Sequence, residues 1–136
     1  MIKEYLVLGL GRFGTALCER LIEHGQTVMA VDYDQKIVQD AADWISNVVQ
    51  LDVTDPDALG DIGAGDFDTA IVAIGTNFEA SVLATIILKE LGVKHVIAKA
   101  LSTLHQQVLL RVGADEVIFP ERKAGQDLGD RLCPRK

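Results

Sequence analysis

Three glycines spaced Gly9-x-Gly11-x-x-Gly14 stand directly after the apolar run Tyr5-Leu6-Val7-Leu8 and directly before a stretch of helical spacing. These residue types in this order suit one chemistry, the holding of a phosphate or diphosphate by backbone N–H groups. Gly9 permits a tight turn. Gly11 lets the backbone approach a diphosphate where a Cβ would clash, and Gly14 lets the following helix pack close to the sheet. The helix then offers free N–H groups and the positive end of its dipole to an anion. Asp32 ends the next apolar run, about 18 residues beyond Gly14, near the spacing of about 20 at which an acid accepts hydrogen bonds from ribose hydroxyls. A carboxylate there also repels a 2′-phosphate, which disfavours NADP.

Further candidates follow the ends of later apolar runs. Arg12 lies inside the glycine turn, where a guanidinium suits terminal phosphates. That points to ATP or ADP as much as to NAD(H), with a solvated surface arginine as the plain alternative. Asp52-Val53-Thr54 falls where backbone and a carboxylate meet an adenine edge, while capping of the next helix by Thr54 or Asp55 competes for the same residues. In Ile74-Gly75-Thr76-Asn77, Gly75 keeps a crevice open, and Asn77 either caps a helix or touches the ligand. Lys99 suits a phosphate, and Glu121 a cation or a neighbouring subunit. The candidate site is therefore Gly9, Gly11, Arg12, Phe13, Gly14, Asp32, Asp52, Val53, Ile74, Gly75, Asn77, Lys99 and Glu121. Neither a catalytic set nor a metal-ligand spacing is found: His24, His95 and His105 are scattered, and Gly-x-Ser-x-Gly and Walker A motifs are missing.

The elements that must position these residues can be read from periodicity. Strands are expected at 5–8, 27–31, 48–51, 69–74, 95–98 and 116–119, each a short apolar run. Helical spacing covers 13–23, with Gly25 as its stop, then 34–43 with Asp34 as cap. Pro56 sits at the first turn of a third helix. Asn77–Leu91 is the longest expected helix, closed by Gly92, and Ser102 caps one running to about Val112. Alternating strands and helices of this kind resolve into a parallel sheet with right-handed crossovers. The expected fold is a Rossmann-type, doubly wound α/β sheet of six parallel strands in the order 3-2-1-4-5-6. A last helix is expected at about 122–133, where Ala124, Leu128 and Leu132 form an apolar stripe.

Composition narrows the class. The chain's 136 residues suffice for one domain, and 49% of them are hydrophobic. A net charge of −7 argues against a nucleic-acid partner. The two cysteines, Cys18 and Cys133, form no Cys-x-x-Cys pair, so reduced thiols in a cytoplasmic protein are expected. No run is long and apolar enough to span a bilayer, and no signal peptide is expected, so any work at a membrane goes through a partner.

The chain resembles the N-terminal RCK (KTN, TrkA-N) domain of the cytosolic regulatory subunits of Ktr- and Trk-type potassium uptake systems. The residues that carry the likeness are Val7 to Gly14, Ala30-Val31-Asp32, Ala73-Ile74-Gly75, Leu88 to Gly92, Lys99-Ala100, Gly113-Ala114-Asp115 and Pro120-Glu121. The resemblance implies a gating subunit rather than an enzyme. It implies homo-oligomers, from dimer to octameric ring, beneath a membrane potassium-translocating subunit, with ATP, ADP or NAD(H) altering the ring's shape. It places Arg12 at the nucleotide phosphates, Asp32 at the ribose, Asp52 beside the adenosine, and Lys99 and Glu121 near the phosphate end and a subunit contact. It makes the last helix a crossover helix onto a neighbour. The family's usual C-terminal ligand domain is then absent from residues 1–136, which would be a truncated piece or a minimal member.

Two alternatives remain open on the sequence. One is a small NAD-dependent oxidoreductase or its cofactor half-domain, which would need a substrate domain for which no chain remains. The other is an RCK-like domain serving a different cation channel or an exchanger.

Overall fold

Apolar, β-branched runs flanked by helices have one economical solution, a parallel sheet buried on both faces. The computed structural model, which describes residues 2–134, takes that form. Its strands are β1 (Glu4–Leu8), β2 (Thr27–Asp32), β3 (Asn47–Gln50), β4 (Thr69–Val72), β5 (His95–Lys99) and β6 (Glu116–Ile118). They pair in parallel in the order β3-β2-β1-β4-β5-β6, as the pattern predicts. The helices are α1 (Arg12–Glu23), α2 (Gln35–Ala41), α3 (Pro56–Asp61), α4 (Phe78–Glu90), α5 (Thr103–Arg111) and α6 (Pro120–Leu132).

Strand alternation divides the core in two. Leu6 and Leu8 of β1 join Ala70 and Val72 of β4, Leu59 of α3, Leu88 of α4 and Leu109 of α5. Val7 points the other way and joins Ile71 with Cys18 of α1 and Ala41 of α2. Leu6, Val7 and Leu8 are all fully buried, each contributing about 1.5–3 kcal/mol of apolar transfer. The central strand therefore anchors both layers, and the turn that follows it inherits that rigidity. Cys18 is buried, which pushes its thiol up to about 12, with Glu19 adding to the rise. Cys133 is exposed.

Close approach dictates the glycine turn. Gly9 has φ +105°, and a Cβ there would stand 2.9 Å from the Ala73 carbonyl oxygen. A Cβ on Gly14 would run into the Gly9 carbonyl oxygen. Only glycine at both positions lets α1 start directly over the end of β1.

Some boundaries differ from those expected. β4 stops at Val72, and Ala73-Ile74-Gly75 leave the sheet. β1 ends at Leu8, and the last contact of its ladder with this segment is Ala73 N–H to the Leu8 carbonyl at 2.7 Å. β6 ends at Ile118, because Phe119 is already the N-cap of a helix with Pro120 in its first turn. The last helix therefore starts two residues before 122, equals α4 at 13 residues, and carries Glu121 in its first turn. It has no buried residue, and Leu128 and Leu132 are exposed.

Gly14→Ala tests the close approach. In an ordinary helix this change stabilises by up to about 1 kcal/mol. Here the overpacking against the Gly9 carbonyl should reverse the sign, for a net loss of about 1–3 kcal/mol in urea unfolding. An unchanged or raised midpoint would show that α1 can back away from β1.

Candidate nucleotide cleft at the carboxyl edge of the sheet

Helix capping marks out where a ligand has room. Asp34, Asp55, Asn77 and Ser102 cap α2, α3, α4 and α5, each accepting backbone N–H bonds from the first turn. α1 begins at Gly11 with no side-chain cap. Its first N–H groups, at the end nearest the glycine turn, are left for solvent or an anion. A Cβ at Gly11 would meet no protein atom within 4 Å, so the space over the turn is open.

Asp32 holds the turn in place. Its Oδ2 accepts Leu10 N–H at 2.8 Å, and its Oδ1 accepts Asp34 N–H at 2.9 Å. Gly9 N–H reaches the Val31 carbonyl at 2.8 Å. Thr15 Oγ1 donates to the Leu10 carbonyl at 3.1 Å, closing the turn onto α1. Each carboxylate oxygen of Asp32 keeps a further lone pair for a diol. The spacing that suggested a ribose acid thus also describes a clamp between β2 and the turn, which the sequence alone did not reveal.

An open cleft of about 900 Å³ runs along this edge. Gly9, Gly11, Arg12, Asp32, Asp52, Val53, Ile74, Gly75, Asn77, Lys99 and Glu121 all line it. Phe13 and Gly14 do not: Phe13 packs on the α1 side of the core, and Gly14 is spent on the contact with Gly9. Asp52 is turned into its own loop, accepting both the backbone N–H and the hydroxyl of Thr54 at 2.9 and 2.7 Å. The hydroxyl bond first and the backbone bond second hold the Asp52 carboxyl below its usual range. The cap of α3 is Asp55, not Thr54. Asn77 is a cap, accepting Ala80 N–H at 2.9 Å, and also lines the cleft.

Two cations, Arg12 and Lys99, line the cleft with Asp32. Among the described residues neither Arg12 nor Lys99 forms a salt bridge. Lys99 Nζ lies 5.8 Å from the centroid of the Phe13 ring and would stand 3.2 Å from a Cβ on Gly75. Gly75 therefore makes room for the lysine as well as for the crevice. Thr54 lines the cleft with Asp52 and Val53, and Tyr33, Leu83 and Leu101, which were not foreseen, line it too. Tyr33 could have been suspected, as an aromatic next to a ribose acid; the leucines come from helix and loop faces whose direction the pattern does not give.

No three His, Cys, Asp or Glu side chains assemble as a metal-ligand group among the described residues. No helix among them is long and apolar enough to cross a membrane.

If Asp32 clamps the turn, Asp32→Ala should cost about 1–3 kcal/mol in urea unfolding, since two backbone donors lose a charged acceptor. Asp32→Asn, which keeps one acceptor, should cost less. Equal stability of all three proteins would remove the clamp from the account.

With this geometry in hand, comparison with known proteins is informative. The TrkA-N domain family model matches residues 5–120. Ktr system potassium uptake protein C of Bacillus subtilis (strain 168) is 48% identical over 133 residues, covering 98% of this chain and 58% of that protein. Ktr system potassium uptake protein A of Vibrio alginolyticus is 41% identical over 134 residues, covering 98% and 61%. The chain thus spans about three-fifths of the length of these curated relatives. Among solved structures, the TrkA-N domain of inner membrane protein ybaL from Escherichia coli superposes with a TM-score of 0.86 at 16% identity, covering 97% of this chain and 98% of that one. The GsuK channel bound to NAD gives 0.77 at 16% identity (87% and 21%), and GsuK bound to ADP gives 0.81 at 18% identity (96% and 35%). At such identities the structural likeness speaks for the fold, whereas the match across most of the sequence speaks for descent, and the chain belongs to the TrkA-N domain family.

Proposed function

We propose that the chain is the nucleotide-binding domain of a regulatory subunit that gates a membrane potassium transporter. The observation that carries this reading is the uncapped start of α1 above a turn clamped by Asp32, with Arg12 and Lys99 lining the same cleft. An adenine nucleotide fits that polarity: acceptors for a ribose diol at Asp32, donors for a diphosphate at Gly11 to Gly14, and cations for further phosphates. Asp52 and Val53 would border the base, and Ile74, Gly75 and Asn77 would form the opposite wall. The two free cations favour ATP or ADP, with NAD(H) next. The names of the relatives, both potassium uptake proteins, support the transporter. The NAD-bound and ADP-bound forms of GsuK support the ligand class.

Gating needs only that a nucleotide bind two shapes of the assembly with different affinity. A difference of about 1–3 kcal/mol gives a graded response. The exposed leucines of α6 fit a crossover helix lying on a second copy, in assemblies from dimer to octameric ring. The domain then works at the inner face of the cell membrane through its potassium-translocating partner, without inserting itself. No observation favours the NAD-dependent oxidoreductase, and the curated relatives' names speak for the transporter.

Calorimetric titration with ATP, ADP, NADH and AMP tests the site. ATP and ADP should bind more tightly than AMP. Arg12→Ala should weaken ATP by roughly tenfold or more, as one lost charge-assisted bond implies, and AMP much less. An equal loss for both would take Arg12 away from the phosphates. Gly11→Ala should keep unfolding stability within about 1 kcal/mol, since the Cβ meets no protein atom and only the cap preference changes. It should still weaken ADP by about tenfold or more, because the Cβ occupies the diphosphate path. Potassium flux through the reconstituted partner should lose its ATP-versus-ADP difference when the native protein carries Arg12→Ala.

A further inference from the structure

His105 on α5 is the one buried histidine of the described residues, 3% exposed, and the cleft does not use it directly. Its hydrogen bonds admit a single proton arrangement. The Ser81 hydroxyl donates to the Phe78 carbonyl at 2.9 Å, so its oxygen must accept from His105 Nε2, 2.6 Å away. On the other side of the ring, Nδ1 accepts Leu101 N–H at 3.3 Å. The imidazole is therefore neutral, with its proton on Nε2. The Phe78 ring covers it, with centroids 4.6 Å apart.

Both ends of this relay reach walls of the cleft. Phe78 and Ser81 form the first turn of α4, whose Asn77, Glu79 and Ala80 line the cleft. Leu101 lines it from the loop after β5, two residues beyond Lys99. A second proton on the ring would set Nδ1–H against Leu101 N–H, two donors facing each other. That loop could then keep its place only by leaving the imidazole.

We propose that His105 is a positioning residue of the nucleotide cleft: its neutral ring ties the start of α4 to the Leu101 loop, so nucleotide affinity falls when His105 takes up a proton. The inference rests on the nucleotide reading given above. Burial alone lowers the proton affinity of His105 from its ordinary 6.5, so the loss of affinity sets in below that pH. The titratable and charged groups on the elements packed around it are Glu79, Lys89 and Glu90 of α4, His95 and Lys99 of β5, Glu116 of β6 and Arg111 of α5 itself. Among the described residues none of them bonds to the imidazole. The neutral form binds nucleotide and the charged form does not, so affinity is flat above the titration and declines below it, by at most about tenfold per pH unit for one proton.

ADP binding should be followed from about pH 7.5 down through the His105 titration, located by NMR of its ring in the unmodified chain, and over the same range in His105→Gln, whose amide does not titrate there. The phosphates of ADP titrate alike in both proteins, so the difference between the curves isolates the histidine. The expected result is an extra several-fold loss of affinity at low pH in the unmodified chain alone, together with a Leu101 amide signal that follows the His105 ring by NMR. Parallel curves with ADP still bound would overturn the proposal, as would a ring proton on Nδ1 at neutral pH. Should His105→Gln fail to fold, the NMR titration of the unmodified chain decides: a Leu101 amide indifferent to His105 overturns the proposal. Lack of ADP binding by either folded protein at about pH 7.5 is a different result, which brings down the nucleotide reading and this inference with it.

Discussion

The Gly9 carbonyl oxygen has no space for a side chain beside Gly14, and much of the molecule follows from that contact. It lets α1 follow β1 across the three-residue tight turn Gly9-Leu10-Gly11, with no side-chain cap. β4 ends at Val72, and Ala73 and Ile74 pack beside the Gly9 turn and, with Gly75, line the cleft. Asp32 then locks the turn from β2 through Leu10 N–H. The cleft is thus the place where sheet, turn and helix diverge, at the point where the strand order reverses.

Much of this was legible in the residues. Short apolar runs named all six strands, and the alternation with helices named their order, because few topologies bury such strands on both faces. Gly9 and Gly14 were legible through geometry, since the structure needs glycine at each for a separate reason. What stayed hidden was orientation. That Asp32 bonds the turn, that Asp52 folds back onto Thr54, and that Phe13 packs inward depend on side-chain direction, which spacing does not encode. His105 read as a helix residue without role, because its partners Ser81 and Leu101 come from separate elements. The early start of α6 was readable in principle, since Pro120 disfavours strand and suits a first helical turn.

The distribution of charge explains how one cleft can sort nucleotides. Asp32, with its two bound N–H groups, is a fixed acceptor in the cleft wall, whereas Arg12 and Lys99 form no salt bridge among the described residues. A ligand with more terminal phosphates gains at these two cations alone, and the base and ribose contacts remain the same. On the proposed nucleotide reading, discrimination would reside in Arg12, which is exposed, and Lys99, which is half-buried.

The most direct test is NMR shift mapping of the 136-residue chain during titration with ADP. The account predicts that the largest changes fall on the amides of Gly11 to Gly14, with further changes at Asp32, Val53 and Gly75. Saturable binding with shifts elsewhere, or no shifts at millimolar ADP, would contradict it.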